Sequence, residues 1–94
     1  MGSERVVVGA VDDDVRARTA ARRLRDAGLE VIFVGGGQTV EQLARTAVAE
    51  DAARIVVDAG PDDVRGLGEA CAALDAADIA VDPVESWCDV SDAT

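Results

Sequence analysis

Between Ala20 and Asp58 the chain reads AARRLRDAGLEVIFVGGGQTVEQLARTAVAEDAARIVVD. This is a helix end, an apolar strand, a glycine-rich loop, a second helix and a second apolar strand in unbroken succession. Val31–Val34 and Ile55–Val57 carry no polar alternation. A strand that is apolar on both sides must be covered on both sides, which is the situation of a central strand in a parallel sheet packed between helices. Arg5–Val11, with Val6, Val7 and Val8 in a run, repeats the pattern upstream, and Ile79–Val81 repeats it downstream. Strands alternating with helices build right-handed βαβ units. The expected fold is therefore α/β, flavodoxin-like (Rossmann-like), with a parallel sheet in the order 2-1-3-4 flanked by helices. The fifth strand of that architecture is either missing or reduced to a few residues around Trp87.

The punctuation between these segments is local and chemical. Asp12, Asp13 and Asp14 precede the first helix, where short acceptors and negative charge suit the exposed amides. That helix carries an apolar stripe of Ala17, Ala20, Ala21, Leu24 and Ala27, and Gly28 ends it. Thr39 followed by Gln42 is a capping box for the second helix, whose buried face reads Val40, Leu43, Ala47 and Val48. Asp62 or Asp63 caps a third helix, in which Val64, Leu67, Cys71 and Leu74 recur at helical spacing. Gly66 and Gly68 weaken it. Pro83 is expected to stop the fourth strand.

Residues 1–94 make a single domain near the small end for a self-sufficient core, with residues 84–94 as an acidic tail. Phe33 and Trp87 are its aromatic residues, so the core must come from aliphatic side chains and alanine. A fourth strand at the margin of the sheet is an open edge, which proteins cover or blunt. A partner protein, self-association or the tail itself, folded back with Trp87 on the sheet, would cover it. Trp87 and Val84 are accordingly candidate interface residues. The formal net charge is −10, which repels nucleic acid and anionic lipid. Two cysteines, Cys71 and Cys88, do not make a disulfide framework, and Cys71 falls on an apolar helix face. With no signal peptide and no apolar run of membrane length, a cytoplasmic location is expected.

The Ala20–Asp58 segment resembles the middle of the cobalamin (vitamin B12)-binding domain of methylmalonyl-CoA mutase and its relatives. The resemblance covers roughly the first two-thirds of the chain and lies mainly in the framework. In that family the first strand leads into a loop Asp-x-His-x-x-Gly, whose imidazole ligates cobalt and is oriented by the Asp. Aligned back from Leu24, those positions hold Val11, Asp13 and Arg16, and the chain has no histidine at all. The family's Ser-rich segment after the third strand reads Asp58-Ala59-Gly60-Pro61-Asp62-Asp63, and its later Gly-Gly pair reads Asp82-Pro83. By resemblance, the cofactor-facing positions are Asp13, Gly35, Gly36, Gly37, Gln38 and Thr39. The resemblance implies a domain that kept the scaffold and lost histidine ligation: a non-catalytic binding or assembly module beside a mutase-like or other enzyme, with no metal, no catalytic residues and no cofactor expected. A genuine cobalamin carrier, or a small subunit of a cobalamin-dependent isomerase that binds without histidine, is the alternative.

A further alternative comes from the carboxylates. Asp12, Asp13 and Asp58 follow the first and third strands, like the acidic Mg²⁺ pocket and phosphoacceptor of a response-regulator receiver. A receiver also needs a lysine after its fifth strand, and all nine basic residues here are arginines. This alternative is a degenerate receiver. Gly35–Gly37 sits at a helix N-terminus, where a phosphate could be held, yet it matches neither nucleotide-loop spacing. There is no His, Lys or Tyr to act as a general base.

Overall fold

The computed structural model describes residues 4–88. It contains β1 (Arg5–Ala10), α1 (Val15–Asp26), β2 (Glu30–Gly35), α2 (Val40–Ala49), β3 (Arg54–Asp58), α3 (Pro61–Ala73), β4 (Ala80–Pro83) and the single turn α4 (Glu85–Cys88). The four strands form one all-parallel sheet in the order β2-β1-β3-β4, the flavodoxin-like arrangement expected. Among the described residues no helix is long and apolar enough to cross a membrane. The tail residues beyond 88, Val90 among them, and the side chain of Cys88 lie outside what is described.

Handedness decides which face each helix covers. The step from β1 to β2 runs one way along the sheet, and the next two steps run the other way. Right-handed crossovers therefore put α1 on one face and both α2 and α3 on the opposite face. Two apolar clusters result. Val6, Val8 and Val56 pack under Ala17, Ala20, Ala21 and Leu24 of α1. Val7, Ile55 and Val57 pack under Leu43, Ala44 and Ala47 of α2 and Leu67 and Cys71 of α3. The run Val6-Val7-Val8 is fully buried because its members supply both faces in turn.

On the α1 side that helix packs over β1, β2 and Val56 of β3, and it does not cover the β4 margin. Two devices do so instead. One is α4: Val84 is fully buried, and Trp87 packs against the cluster under α1. The few residues around Trp87 are thus a helical turn, not a reduced fifth strand. The other is an ion group. Arg54 Nε lies 2.8 Å from Glu4, and its Nη1 lies 2.5 Å from Asp82. The two carboxylates hold the guanidinium above the ordinary arginine range. Arg54 pairs beside Val6, which belongs to the α1-side cluster. Its stem therefore lies on that same face, and the paired charges roof the end that α4 does not reach.

Several expectations need correction. Pro83 ends β4, as expected, but it is itself the last strand residue, paired with Val57, so the strand runs further than Ile79–Val81. The amides of Ala80 and Val84 donate to the carbonyls of Ala53, just before β3, and Val57, within β3, at 3.1 and 3.0 Å. By alternation the nitrogens of Val81 and Pro83 face the open edge. A proline there loses no ladder bond, and it removes a donor that another strand could use. Helix α3 starts at Pro61 with Gly60 at its N-cap, so neither Asp62 nor Asp63 caps it. Both occupy the first turn, where their charge faces the helix amides. Val48 and Leu74 are 42% and 41% exposed, and Ala27 is exposed at the end of α1. Val48 lies in the last turn of α2, and Ala27 and Leu74 are the C-caps of α1 and α3.

Candidate functional site

In an open parallel sheet, ligands bind beyond the carboxyl ends of the strands, where the strand order reverses. Here that point lies between β1 and β3. The β1–α1 loop, the β3–α3 loop and the start of α4 enclose a cleft of about 460 Å³ there, lined by Asp12, Asp13, Arg16, Asp58, Gly60 and Glu85 among others. Carboxylates outnumber the guanidinium, so the cleft is net acidic.

Arg16 organises it. Its Nη1 lies 3.6 Å from Asp58 Oδ1, and its Nη2 lies 3.1 Å from Glu85 Oε2. One side chain from the first turn of α1 thus reaches the end of β3 and the beginning of α4. A cation in the first turn of a helix opposes the helix dipole. Its position is explained by the two acids it spans. Arg16 stands at the position where the cobalamin-binding pattern has glycine, and with Glu85 it is the residue that sequence reasoning did not assign to a site. The misplaced first-turn cation was the available signal. Glu85 carried none, because its role depends on α4 folding back.

The residues chosen by resemblance do not share one cavity. Asp13 lines the switch-point cleft, and its Oδ1 accepts the Val15 N–H at 3.3 Å, a local turn at the start of α1. Gly37, Gln38 and Thr39 line a separate recess of about 440 Å³ with Val11, Val40 and Asp63. A backbone ridge divides the two. The Gly37 N–H donates to the Asp12 carbonyl at 2.9 Å, and the Gln38 N–H donates to the Ala10 carbonyl at 3.0 Å. The loop amides that would have faced a phosphate are spent on the neighbouring loop. Gly36 is held by the same contact: a Cβ there would meet the Asp12 carbonyl oxygen at 2.3 Å. Gly35 ends β2 opposite Gly9, where the register shifts. The Gln38 amide donates to the carbonyls of Val34 and Gly36 at 3.2 and 3.4 Å. Thr39 and Gln42 form the expected reciprocal cap, at 3.0 and 2.8 Å. Of the two candidate interface residues, Val84 is buried in the fold and Trp87 is half-buried against it, with its Nε1–H enclosed and without an acceptor among the described residues.

The carboxylates of the receiver reading, Asp12, Asp13 and Asp58, do line one cleft. Among the described residues, however, no three His, Cys, Asp or Glu side chains are grouped so as to hold a metal ion. Asp58 faces Arg16 instead. Nor does the site suit a cobalt ligand. Its donor set is carboxylate oxygen, a hard match for cobalt, and Asp13 already serves the α1 backbone. Cys71 is buried under α3, and burial pushes its thiol above the ordinary range, so it is a core residue and not a nucleophile.

Compared with known proteins, the chain matches no family model and no curated protein.

Proposed function

We propose that this chain is a non-catalytic binding or assembly module, built on a cobalamin-binding-type scaffold from which the cobalt grip has been lost, and acting beside a mutase-like or other enzyme. The observation that carries the reading is the bridge from Arg16 to Asp58 and Glu85 across the switch-point cleft. It puts an internal ion group where the scaffold would present a ligand. The tied backbones of the Asp12 and Gly36–Gln38 loops support the same reading, because their amides serve each other.

Hydroxocobalamin titration tests this, followed by the visible spectrum and by thermal melting in parallel. The expected result is no change in the corrin bands and no shift in Tm. Micromolar binding with a base-off spectral change would overturn it in favour of a genuine carrier that binds without histidine. Binding without a spectral change but with a raised Tm would also overturn it, and would indicate base-on carriage.

A further inference from the structure

The chain's positive charge is concentrated in one element. Helix α1 reads VRARTAARRLRD and holds Arg16, Arg18, Arg22, Arg23 and Arg25, in a molecule of net charge −10. Arg16 is committed to the switch-point cleft. Arg18, Arg22 and Arg25 lie three or four residues apart, hence on one side of the helix. They line a groove of about 230 Å³ whose floor is Ala21 and Phe33. Arg18 is anchored: its Nε donates to Asp14 at 2.9 Å, and its guanidinium lies over the Phe33 ring, 5.9 Å from the centroid. Arg22 and Arg25 are exposed and form no ion pair among the described residues.

The groove runs beside the free edge of β2. The Glu30 amide donates to Glu4 on the β1 side at 3.0 Å. By alternation the amides and carbonyls of Val31 and Phe33 face outward, where no strand stands beside them among the described residues. The two margins of the sheet therefore differ. On β4, Pro83 removes an outward donor. On β2 the outward donors are intact and flanked by Arg22 and Arg25, which form no ion pair among the described residues.

We propose that the β2 edge and the Arg18–Arg22–Arg25 row form a docking site for an acidic, extended segment of a partner protein. Such a segment would add as a fifth strand beside β2. Its main chain would meet Val31 and Phe33, and alternate side chains on the α1 face would meet Arg22 and Arg25. Acidic residues at every second position fit that face, and small apolar residues between them fit the side bearing Ile32 and Val34. Charge complementarity selects this occupant over a second copy. The other margin of a copy is blunted by Pro83, and the Asp82 it would bring is already held by Arg54. The overall negative charge opposes approach from a distance. Within about 10 Å, roughly the screening length at 0.1 M salt, the local arginines dominate.

This surface gives a location to the assembly role proposed above and rests on it, but its test is separate from the corrinoid titration. A short fluorescein-labelled peptide of alternating Glu and Val is titrated with the full chain by fluorescence anisotropy at low and high salt, and the amides are followed by ¹⁵N NMR. Saturable binding that weakens with salt is expected, with slowed hydrogen exchange at Val31 and Phe33. Replacing both exposed arginines in an R22Q/R25Q variant should weaken binding about three- to tenfold, the scale of two exposed ion pairs, while the melting curve stays as it was. No binding at millimolar peptide, unchanged affinity in R22Q/R25Q, equal affinity for a Lys–Val peptide or an oligothymidylate, or shifts confined to other elements would each overturn the proposal. If the corrinoid titration succeeds while the peptide fails, the scaffold reading and the docking surface fall together. If both are negative, the docking surface alone falls.

Discussion

Replacing Asp51 by glycine should make this protein more stable, although it removes a side chain and adds backbone freedom. Asp51 follows the end of α2 with φ of 55°, in the left-handed region. Its amide donates to Val48 at 3.1 Å, and the next amide, of Ala52, donates to Ala47 at 2.9 Å. That crossed pair is a Schellman closure. The end of α1 closes in the same way, with Gly28 at φ 93° donating to Arg25 and Leu29 donating to Leu24. The end of α3 repeats it with Asp75 at φ 62°. Glycine occupies the left-handed position once; aspartate is forced into it twice. For a residue with a Cβ that conformation costs about 1–2 kcal/mol, and a short polar side chain lies near the lower figure. A carboxylate at a helix C-terminus adds about 0.3–1 kcal/mol of unfavourable dipole interaction. Against these, glycine gives the unfolded chain about 0.5–1 kcal/mol of extra entropy. The balance for Asp51→Gly is a gain of about 0.5–1 kcal/mol. For a domain of this size that raises Tm by roughly 2–8 °C. Asp75→Gly should do the same, and the two should add, because they close different helices. Thermal melting by circular dichroism measures it. Asp51→Asn isolates the charge and should recover only a few tenths of a kcal/mol, about the lower end of the dipole term. Asp51→Ala keeps the Cβ and loses the polar group, so it should not exceed wild type. If Asp51→Ala melts as high as Asp51→Gly, left-handed strain is not the cause, and the reasoning fails.

Four other outcomes follow from particular sites. The Cys71 thiol is raised above its ordinary value of 9.0 by burial, so its neutral form is the one the fold favours. The stability it contributes is fully present below that value and is lost as pH rises through it, because the unfolded thiol ionises first. With no Lys or Tyr in the chain the alkaline range is nearly clear of other titrations. Urea melts above pH 9 should show a loss that Cys71→Ala abolishes; an identical slope in the variant would refute it. Gly66 and Gly68 lie inside α3, and a Cβ at either meets nothing within 4 Å. Alanine at each should add about 0.5–1 kcal/mol in chemical denaturation, and a lowered midpoint would show an unseen packing role. Gly36→Ala should lose more than about 1 kcal/mol, since its Cβ cannot pass the Asp12 carbonyl without parting the two loops; unchanged melting would show that the ridge is not rigid. Trp87→Phe should hold Tm or raise it, because the ring contact stays while the enclosed, unaccepted Nε1–H goes. A fall as large as that of Trp87→Ala would mean that the indole has a partner.

What could be read from the chain was whatever is encoded within about one turn or one strand. Unalternated runs such as Val6-Val7-Val8 demand burial on both faces, which leaves the parallel α/β sheet as the solution and, with right-handed crossovers, sets its strand order. The Thr39–Gln42 box and the Gly28 closure are single-turn chemistry, and they form where their residues stand. The clustering of Asp12, Asp13 and Asp58 at the carboxyl edge also followed from strand order alone. Tertiary structure decided what depends on register and on which face a distant segment meets. Pro83 is tolerated because its nitrogen happens to face outward, a parity set by pairing with β3. Gly36 packs loop on loop, whereas the sequence by itself allowed it to face a ligand. Arg16 became the centre of the cleft only when α4 returned Glu85 to it. Trp87 and Arg54 cover the part of the α1 face, toward β4, that α1 leaves open. Local rules describe the neighbours a residue has along the chain; burial, charge pairing and the fate of the sheet's two edges are set by neighbours that only the fold supplies.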